Sequence, residues 1–327
     1  MLKMYYVADL TNKKLQADIE RALRWQAVSI EDLSHRFVVL DTLSEGQGYL
    51  EYRAAVAELQ TLPWFSINRC AWINNIFHDD PQSNIYSIPY YMANFANLLV
   101  EFDWSTIQRD RAFVCLIRHD RPSRRLIAKH ILDNFPTEQY RLSYRSGLTE
   151  PEYDEVIGRM APILLDGAYL GEQFNGYPGG GILNCLINLV VETSSQLDHN
   201  YTGTWNSMFI TEKTFKAFGW CQMPLWLAVP GLVAKVRAAG FDVFDDWFES
   251  HNYDAIDDQQ QRFAKVFDLL HKAIDRINFQ GGAEQVSQNL WSRFQHNIKV
   301  LERLDQHNKQ QFQSIVQNLS VNHELRN

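Results

Sequence analysis

The sequence predicts an α/β fold built from parallel sheets. Short apolar runs of strand length alternate with stretches whose apolar residues recur at helical spacing. This series restarts near Arg111, and turn sequences such as YPGGG, from Tyr177 to Gly181, separate its members. Strands that are separated by helices indicate a parallel sheet, so a series that starts twice predicts two such units.

Length and composition agree with a folded chain of two domains. The 327 residues are 46% hydrophobic and 21% charged, which supplies apolar surface for more than one core. The net charge of −8 argues against a protein whose whole surface tracks nucleic acid, although it leaves room for a local basic patch. We expect an N-terminal lobe over residues 1–110, a second lobe over 111–283 and a C-terminal helical segment over 284–327.

Targeting and cysteine signals favour a cytoplasmic protein. The N-terminal residues MLKMYYVADL turn polar too soon for the apolar core of a signal peptide. The longest apolar runs are interrupted by polar residues well before the ~18 residues that suggest a membrane span. The cysteines at positions 70, 115, 185 and 221 are scattered without the spacing of a zinc site, which predicts buried reduced thiols.

The first hundred residues contain strand and helix signals in turn. MYYVAD (4–9) and RFVVLDT (36–42) are typical of strands, whereas residues 15–25 and 49–62 show helical spacing. The stretch 63–99 is rich in aromatic and amide side chains and lacks a clear period. We expect it to mix loop, strand and short helix.

The second series begins with AFVCLIR (112–118), a continuous apolar run typical of a buried strand, and continues with a helical pattern over 124–135. Strand, strand, helix and strand signals follow at APILLD (161–166), NCLINLVVET (184–193), FITEKTFKAF (209–218) and MPLWLAV (223–229). The C-terminal part is helical, with one pattern over 257–277 that Gly281-Gly282 breaks and a last long one from Leu290 to Leu319. The last helix could pack across both lobes or form a contact in an oligomer.

Residues 190–258 resemble the donor-binding domain of fucosyltransferase-type glycosyltransferases. The likeness is strongest at VVET (190–193), FITEKTFKAF and PLWLAVPG (224–231), and the later GF-x-x-F-D and N-Y-D resemble related enzymes of phage and environmental genomes. A weaker likeness lies at FVCLIRHDRPSRRLIAKHIL (113–132). The resemblance implies the GT-B architecture, two Rossmann-like lobes with a central cleft, and a nucleoside-diphosphate sugar as donor substrate.

The triplet Thr211-Glu212-Lys213 opens the predicted helix of the resembling block. If Thr211 caps this helix, its free amides and positive dipole end suit a diphosphate at the ligand edge of the sheet. The resemblance implies that Glu212 bonds ribose hydroxyls and that Lys213 contacts the diphosphate. The alternative is a plain cap, with a surface ion pair between Glu212 and Lys216.

A basic cluster follows the first strand of the second series. Between residues 118 and 130 a single acid, Asp120, accompanies five basic side chains, Arg118, Arg121, Arg124, Arg125 and Lys129. Such a concentration of charge in an acidic chain suggests an anionic ligand, and arginine can bind diphosphate oxygens bidentately. The resemblance implies one arginine at the start of this helix; Arg125, seven residues before Leu132, fits best, and Arg124 is its rival. Arg118 is a further candidate, and a solvated helix face is the alternative.

Carboxylates supply the remaining candidates. Glu192 follows a predicted strand, where it could orient ribose or sugar hydroxyls or simply mark the point at which the strand emerges into water. A catalytic base should come from the acceptor lobe, because the donor lobe stabilises the leaving nucleoside diphosphate. Asp79 and Asp80 are the candidates, with Asp9 as another, although adjacent acids before a proline are also typical of a turn. Asp254, in N-Y-D, is typical of a helix cap.

Together these features predict an inverting glycosyltransferase. The sequence has no Asp-x-Asp between apolar strands and no His/Cys ligand spacing, so we expect no metal and no cofactor besides the sugar-nucleotide donor. We expect the acceptor to be a surface saccharide or a hydroxylated base in phage DNA. If the protein is viral, we expect it to act in the host cytoplasm. The alternative is a catalytically inactive nucleotide-binding or scaffold protein with the same fold.

Overall fold

A computed structural model describes residues 38–41, 56–57, 60, 70–74, 85–90, 93, 107–117, 122–144, 181–192, 208 and 210–324. The chain forms two compact units, which are described separately. The first unit comprises Met1–Met92, Asn200–Ile210 and Leu304–Asn327, and the second comprises Ala93–His199 and Thr211–Arg303. The domain boundaries predicted from the sequence stay a prediction.

Among the described residues, the first unit contains a parallel sheet of three strands. Its strands, in the order β1-β2-β3, are β1 (Val38–Asp41), β2 (Cys70–Asn74) and β3 (Ile85–Ser87). β1 pairs with β2, and β2 pairs with β3, in parallel register. β1 confirms the strand predicted at 36–42. The strand predicted at 4–9 and the helix predicted at 15–25 lie outside the described residues.

In the part of the second unit that the structure describes, four strands form a parallel sheet. Its strands are β4 (Arg111–Ile117), β5 (Tyr140–Tyr144), β6 (Cys185–Val191) and β7 (Met223–Leu227), in the order β5-β4-β6-β7. Every residue of β6 and β7 is buried, as expected of parallel strands that are covered on both faces. The predicted strands at β4, β6 and β7 are confirmed, whereas β5 was not predicted. The run predicted at 161–166 lies outside the described residues.

The helices of the described residues are α1 (Pro122–Asn134), α2 (Glu212–Gly219), α3 (Leu232–Ala238), α4 (Gln259–Phe279), α5 (Ala283–Asn289) and α6 (Trp291–Glu324). They confirm the helices predicted over 124–135, 257–277 and the C-terminal stretch. α4 ends before Gly281 and Gly282, whose φ angles of 94° and 98° suit glycine because it has no Cβ. α5 was not predicted as a separate helix.

Among the described strands of the second sheet, β7 lies at one end of the order, and side chains from later in the chain bond two backbone groups on its outward side. The Tyr253 hydroxyl, in the 3-10 segment Glu249–Ala255, accepts a hydrogen bond from the Trp226 amide at 3.2 Å. The Arg262 Nε donates to the Ala228 carbonyl at 2.9 Å. Backbone groups of an edge strand need partners, and these side chains supply them for the Trp226 amide and the Ala228 carbonyl.

Arg109 joins the elements at the amino ends of β6 and β7. Its buried guanidinium donates to the carbonyls of Leu183, Cys185, Trp220 and Cys221. Burial lowers the pKa of Arg109 to about 10, so the side chain stays charged at neutral pH. This edge of the sheet lies opposite the carboxyl ends of the strands and is a point of structural attachment.

Three cysteine side chains behave as predicted. Cys115, Cys185 and Cys221 are buried free thiols, and burial raises the pKa of Cys185 and of Cys221 to about 12. The side chain of Cys70 lies outside the description. Within the described part of the chain, no helix combines the length and the apolar character needed to cross a membrane.

Candidate functional site

The carboxyl ends of β4 and β6 lie side by side in the second sheet, because Cys115 of β4 pairs with Leu189 of β6. From β4 the chain continues through α1 to β5 on one side, whereas from β6 it reaches β7 on the other. The strand order therefore reverses between β4 and β6. Open α/β sheets bind their ligands at the carboxyl edge at such a switch point.

Glu192, directly after β6, is built into the protein. Its side chain is 2% exposed, so it does not mark a strand emerging into water. Its Oε1 accepts hydrogen bonds from the Thr214 hydroxyl at 2.6 Å and from the Thr211 amide at 3.3 Å, and its Oε2 accepts from the Thr211 hydroxyl at 2.7 Å. The carboxylate thus fastens the first turn of α2 to the end of β6. This arrangement makes Glu192 a positioning group for α2.

Thr211 caps α2, as the sequence predicts. Its backbone is extended, with φ −85° and ψ 172°, and its hydroxyl accepts a hydrogen bond from the Lys213 amide at 3.3 Å. The same hydroxyl donates to Glu192, so one oxygen serves both the helix cap and the strand end. Glu212 is half-buried in the first turn, a favourable place for an acid beside the positive end of the helix dipole.

Lys213 and Arg124 are cationic side chains in the first turns of α2 and α1. The Lys213 ammonium donates to the Val191 carbonyl at 3.2 Å, which holds it at the end of β6. Arg124, in the first turn of α1, is 3% exposed, whereas Arg125 is half-buried. Burial raises the pKa of the Cys115 thiol on β4, and the nearby charges of Arg124 and Lys213 both act against that rise. Both cations therefore lie within electrostatic reach of one point in β4.

The structure places some of the predicted site residues and leaves others undescribed. Glu192, Thr211 and Lys213 come together, and Arg124 rather than Arg125 holds the buried position in α1. Arg118, Arg121, Asp9, Asp79 and Asp80 lie outside the described residues, so their roles stay predictions.

Sequence reasoning missed Thr214 and Trp226. The Trp226 indole donates to the Thr214 hydroxyl at 3.0 Å, and that hydroxyl in turn donates to Glu192. Thr214 is fully buried at the third position of α2, where a capping box usually has Glu or Gln. The signal in the sequence was a hydroxyl side chain three residues after the cap, between Lys213 and Phe215.

Asp254 is a helix cap, but of the helix that precedes it in the chain. Its carboxylate accepts hydrogen bonds from the Val233 and Ala234 amides at 3.1 and 3.0 Å, in the first turn of α3. Burial raises its pKa, and these amide donors act in the opposite direction. Asp258, instead, caps α4 through the Gln261 amide at 2.8 Å.

His251 and Tyr253 form a buried polar pair beside the outward side of β7. The His251 Nδ1 lies 3.0 Å from the Tyr253 hydroxyl, and its Nε2 lies 2.6 Å from the Val243 carbonyl. Burial lowers the pKa of His251 to about 4, so the ring is neutral at physiological pH. Since a carbonyl can only accept, Nε2 carries the proton, and Nδ1 accepts from the tyrosine.

Within the described stretches, no group of three or more His, Cys, Asp or Glu side chains is arranged to hold a metal ion. The expectation that the reaction needs no metal stays a prediction. In comparisons with protein-family models, curated proteins and solved structures, nothing matches this chain.

Proposed function

We propose that this protein is a glycosyltransferase of GT-B architecture that transfers a sugar from a nucleoside-diphosphate donor to a hydroxyl acceptor, with inversion and without a metal. The observation that carries the proposal is the first turn of α2, which Glu192 fastens to the end of β6 at the switch point of the sheet. The positive dipole end of a helix N-terminus favours phosphate.

The charges around this turn support a diphosphate as the ligand. Lys213 lies at the end of β6 and Arg124 at the start of α1, and both act on the same thiol of β4. Two cations from different elements can offset the charge of a diphosphate that leaves the sugar in the transition state. In this role Lys213 supplies a point charge, and Arg124 supplies a planar fork of donors.

The first experiment is a thermal-shift panel with GDP, UDP, CMP and sugars attached to them. A ligand at 100 times its Kd stabilises the folded protein by ~2.7 kcal/mol, which gives a clear rise in Tm. We expect one nucleotide and its sugar conjugate to give such a rise. If none of them shifts Tm, the chain has no nucleotide-sugar site and the proposal is wrong.

The second experiment replaces Lys213 with Ala. Loss of a charged hydrogen bond to phosphate costs about 1.5–3 kcal/mol, or roughly ten- to hundredfold in donor affinity. Lys235→Ala is the matched control, because Lys235 is an exposed lysine of α3 and its loss changes the net charge equally. Equal donor affinity in the two variants would contradict the assignment.

The acceptor follows from transfer assays with a labelled donor. Incubation with surface saccharides and, separately, with DNA that carries hydroxymethylated bases distinguishes the two acceptor classes predicted from the sequence. Donor binding without transfer to either class would instead favour the inactive nucleotide-binding protein.

A further inference from the structure

Two short series of hydrogen bonds, joined through the residue Trp226, connect the N-Y-D segment to the first turn of α2. In the first series, the His251 ring lies 2.6 Å from the Val243 carbonyl and 3.0 Å from the Tyr253 hydroxyl. That hydroxyl accepts a hydrogen bond from the Trp226 amide at 3.2 Å. In the second series, the Trp226 indole donates to the Thr214 hydroxyl at 3.0 Å, and that hydroxyl donates to the Glu192 carboxylate at 2.6 Å. Trp226 is fully buried and belongs to both series, through its amide and its side chain.

The protonation states give the first series one direction. The neutral His251 donates from Nε2 to Val243 and accepts at Nδ1 the hydroxyl proton of Tyr253. The tyrosine oxygen is then free to accept the Trp226 amide. Removing the tyrosine hydroxyl would leave that amide unpaired at a buried edge of β7, and a buried unpaired donor is costly.

The same segment also fixes the turn that follows β7. The Asp254 carbonyl accepts from the Gly231 amide at 2.9 Å, and the Asp254 carboxylate caps α3. Arg262 holds the Ala228 carbonyl. The end of β7 and the start of α3 are therefore tied to the residues around Tyr253 at several points.

The backbone beside His251 is strained. Glu249, Ser250 and His251 have φ angles of 47°, 54° and 52°, a left-handed conformation that non-glycine residues rarely adopt in succession. Ion pairs from Glu249 to Lys265 at 2.9 Å and to Lys272 at 2.8 Å accompany this turn. Strained backbone persists where the surroundings fix it, and it concentrates near functional sites.

We propose that His251 and Tyr253 are positioning residues that act through Trp226 and Thr214 to hold the N-terminal turn of α2 in place for the phosphates of the donor. This inference rests on the proposed function. These hydrogen bonds, from His251 to Thr214, form a relay that reaches the carboxyl edge of the sheet at Thr214. Thr214 and the helix cap Thr211 donate to the same Glu192 carboxylate. Loss of the relay should therefore displace the cap and weaken phosphate binding while the chain still folds.

The test measures the affinity of folded protein for GDP, UDP and inorganic pyrophosphate by calorimetry, well below the Tm of each variant. Tyr253→Phe removes one hydroxyl behind β7, and Thr214→Val cuts the relay at the other side of Trp226. For each we expect about a tenfold weaker affinity, or ~1.4 kcal/mol. Thr214→Ser keeps the hydroxyl and should restore most of the affinity.

Val286→Ala is the matched control. Val286 is fully buried in α5, and the Glu284 carboxylate of the same helix accepts a hydrogen bond from the Arg109 amide at the amino edge of the sheet. This variant should lower Tm, as Tyr253→Phe does, without changing affinity. If the relay has only a structural role, Tyr253→Phe and Thr214→Val will also lower Tm and leave the affinity unchanged. Unchanged affinity in both variants would therefore overturn the inference. Absence of binding by the wild-type protein would instead overturn the proposed function and the inference together.

Discussion

Protonation of His251 should make the protein measurably less stable in mild acid. The ring is 2% exposed and neutral in the folded chain, because burial lowers its pKa to about 4. Asp245 raises that pKa and Arg237 lowers it, but both effects are smaller than the effect of burial. In the unfolded chain the imidazole titrates near its ordinary pKa of 6.5.

The direction of the pH dependence follows from the difference between the folded and the unfolded pKa of His251. Above pH 6.5 the ring is neutral in both states, so its contribution to stability is fully present. As the pH falls from 6.5 towards 4, the unfolded chain binds a proton that the folded chain does not, and stability is lost. The full difference corresponds to ~3 kcal/mol, of which about 2 kcal/mol is lost by pH 5.

Urea unfolding at pH 7.5 and at pH 5, followed by tryptophan fluorescence, measures this loss. His251→Gln is the comparison, because glutamine can donate to the Val243 carbonyl and does not titrate. His130, whose pKa is also lowered by burial, adds a loss of the same sign in both proteins and cancels in the difference. We expect the wild type to lose about 2 kcal/mol more than the variant between the two pH values. Equal losses would refute the assignment of a buried neutral His251.

Two further substitutions test the packing of the second unit. Arg109→Met should lower the free energy of unfolding by about 3–5 kcal/mol, since it removes the guanidinium that donates to four buried carbonyls, of which that of Cys185 keeps a second donor in the Gln222 side chain. Arg109→Lys should not restore the stability, because an ammonium lacks the planar fork. Urea unfolding measures both variants, and a loss below about 1 kcal/mol would contradict the role of this side chain. Gly240→Ala should cost about 1–2 kcal/mol, because Gly240 has φ 99°, a left-handed conformation that costs a residue with a Cβ; the Arg303 Nη2, 2.7 Å from the added Cβ, ends a flexible side chain that can move aside. Gly282→Ala, with φ 98° and nothing within 4 Å of the added Cβ, is its control in the same urea experiment; a Gly240→Ala variant as stable as wild type would rule out backbone strain there.

The elements that sequence analysis located are those with an unambiguous local pattern. β4 and β6 are continuous apolar runs, and Thr211 stands before a short charged helix, so strand and cap could both be predicted. β5, with the sequence YRLSY, has two polar residues in five and no such run. Its burial depends on pairing with β4, which local sequence does not encode.

The candidate site could be predicted in outline but not in its connections. The triplet at the start of α2 was recognised, whereas the burial of Glu192 depends on hydroxyl donors from Thr211 and Thr214 that reach it after the chain has left the sheet. Which of Arg124 and Arg125 is buried depends on which face of α1 packs against the protein. The order of two adjacent residues in the sequence does not determine that face. Spacing identifies the kinds of side chain, and tertiary packing decides which of them are enclosed.

The covered edge of β7 also has a consequence for self-association. An exposed strand edge with unpaired backbone groups invites another chain to add a strand, which leads to swapped dimers and fibrils. Here the outward Trp226 amide and Ala228 carbonyl are already occupied by Tyr253 and Arg262. A second molecule would have to displace both side chains before it could extend the sheet at this side. The residues that support the candidate site therefore also occupy two of the backbone groups that a strand from another chain would need at this side of β7.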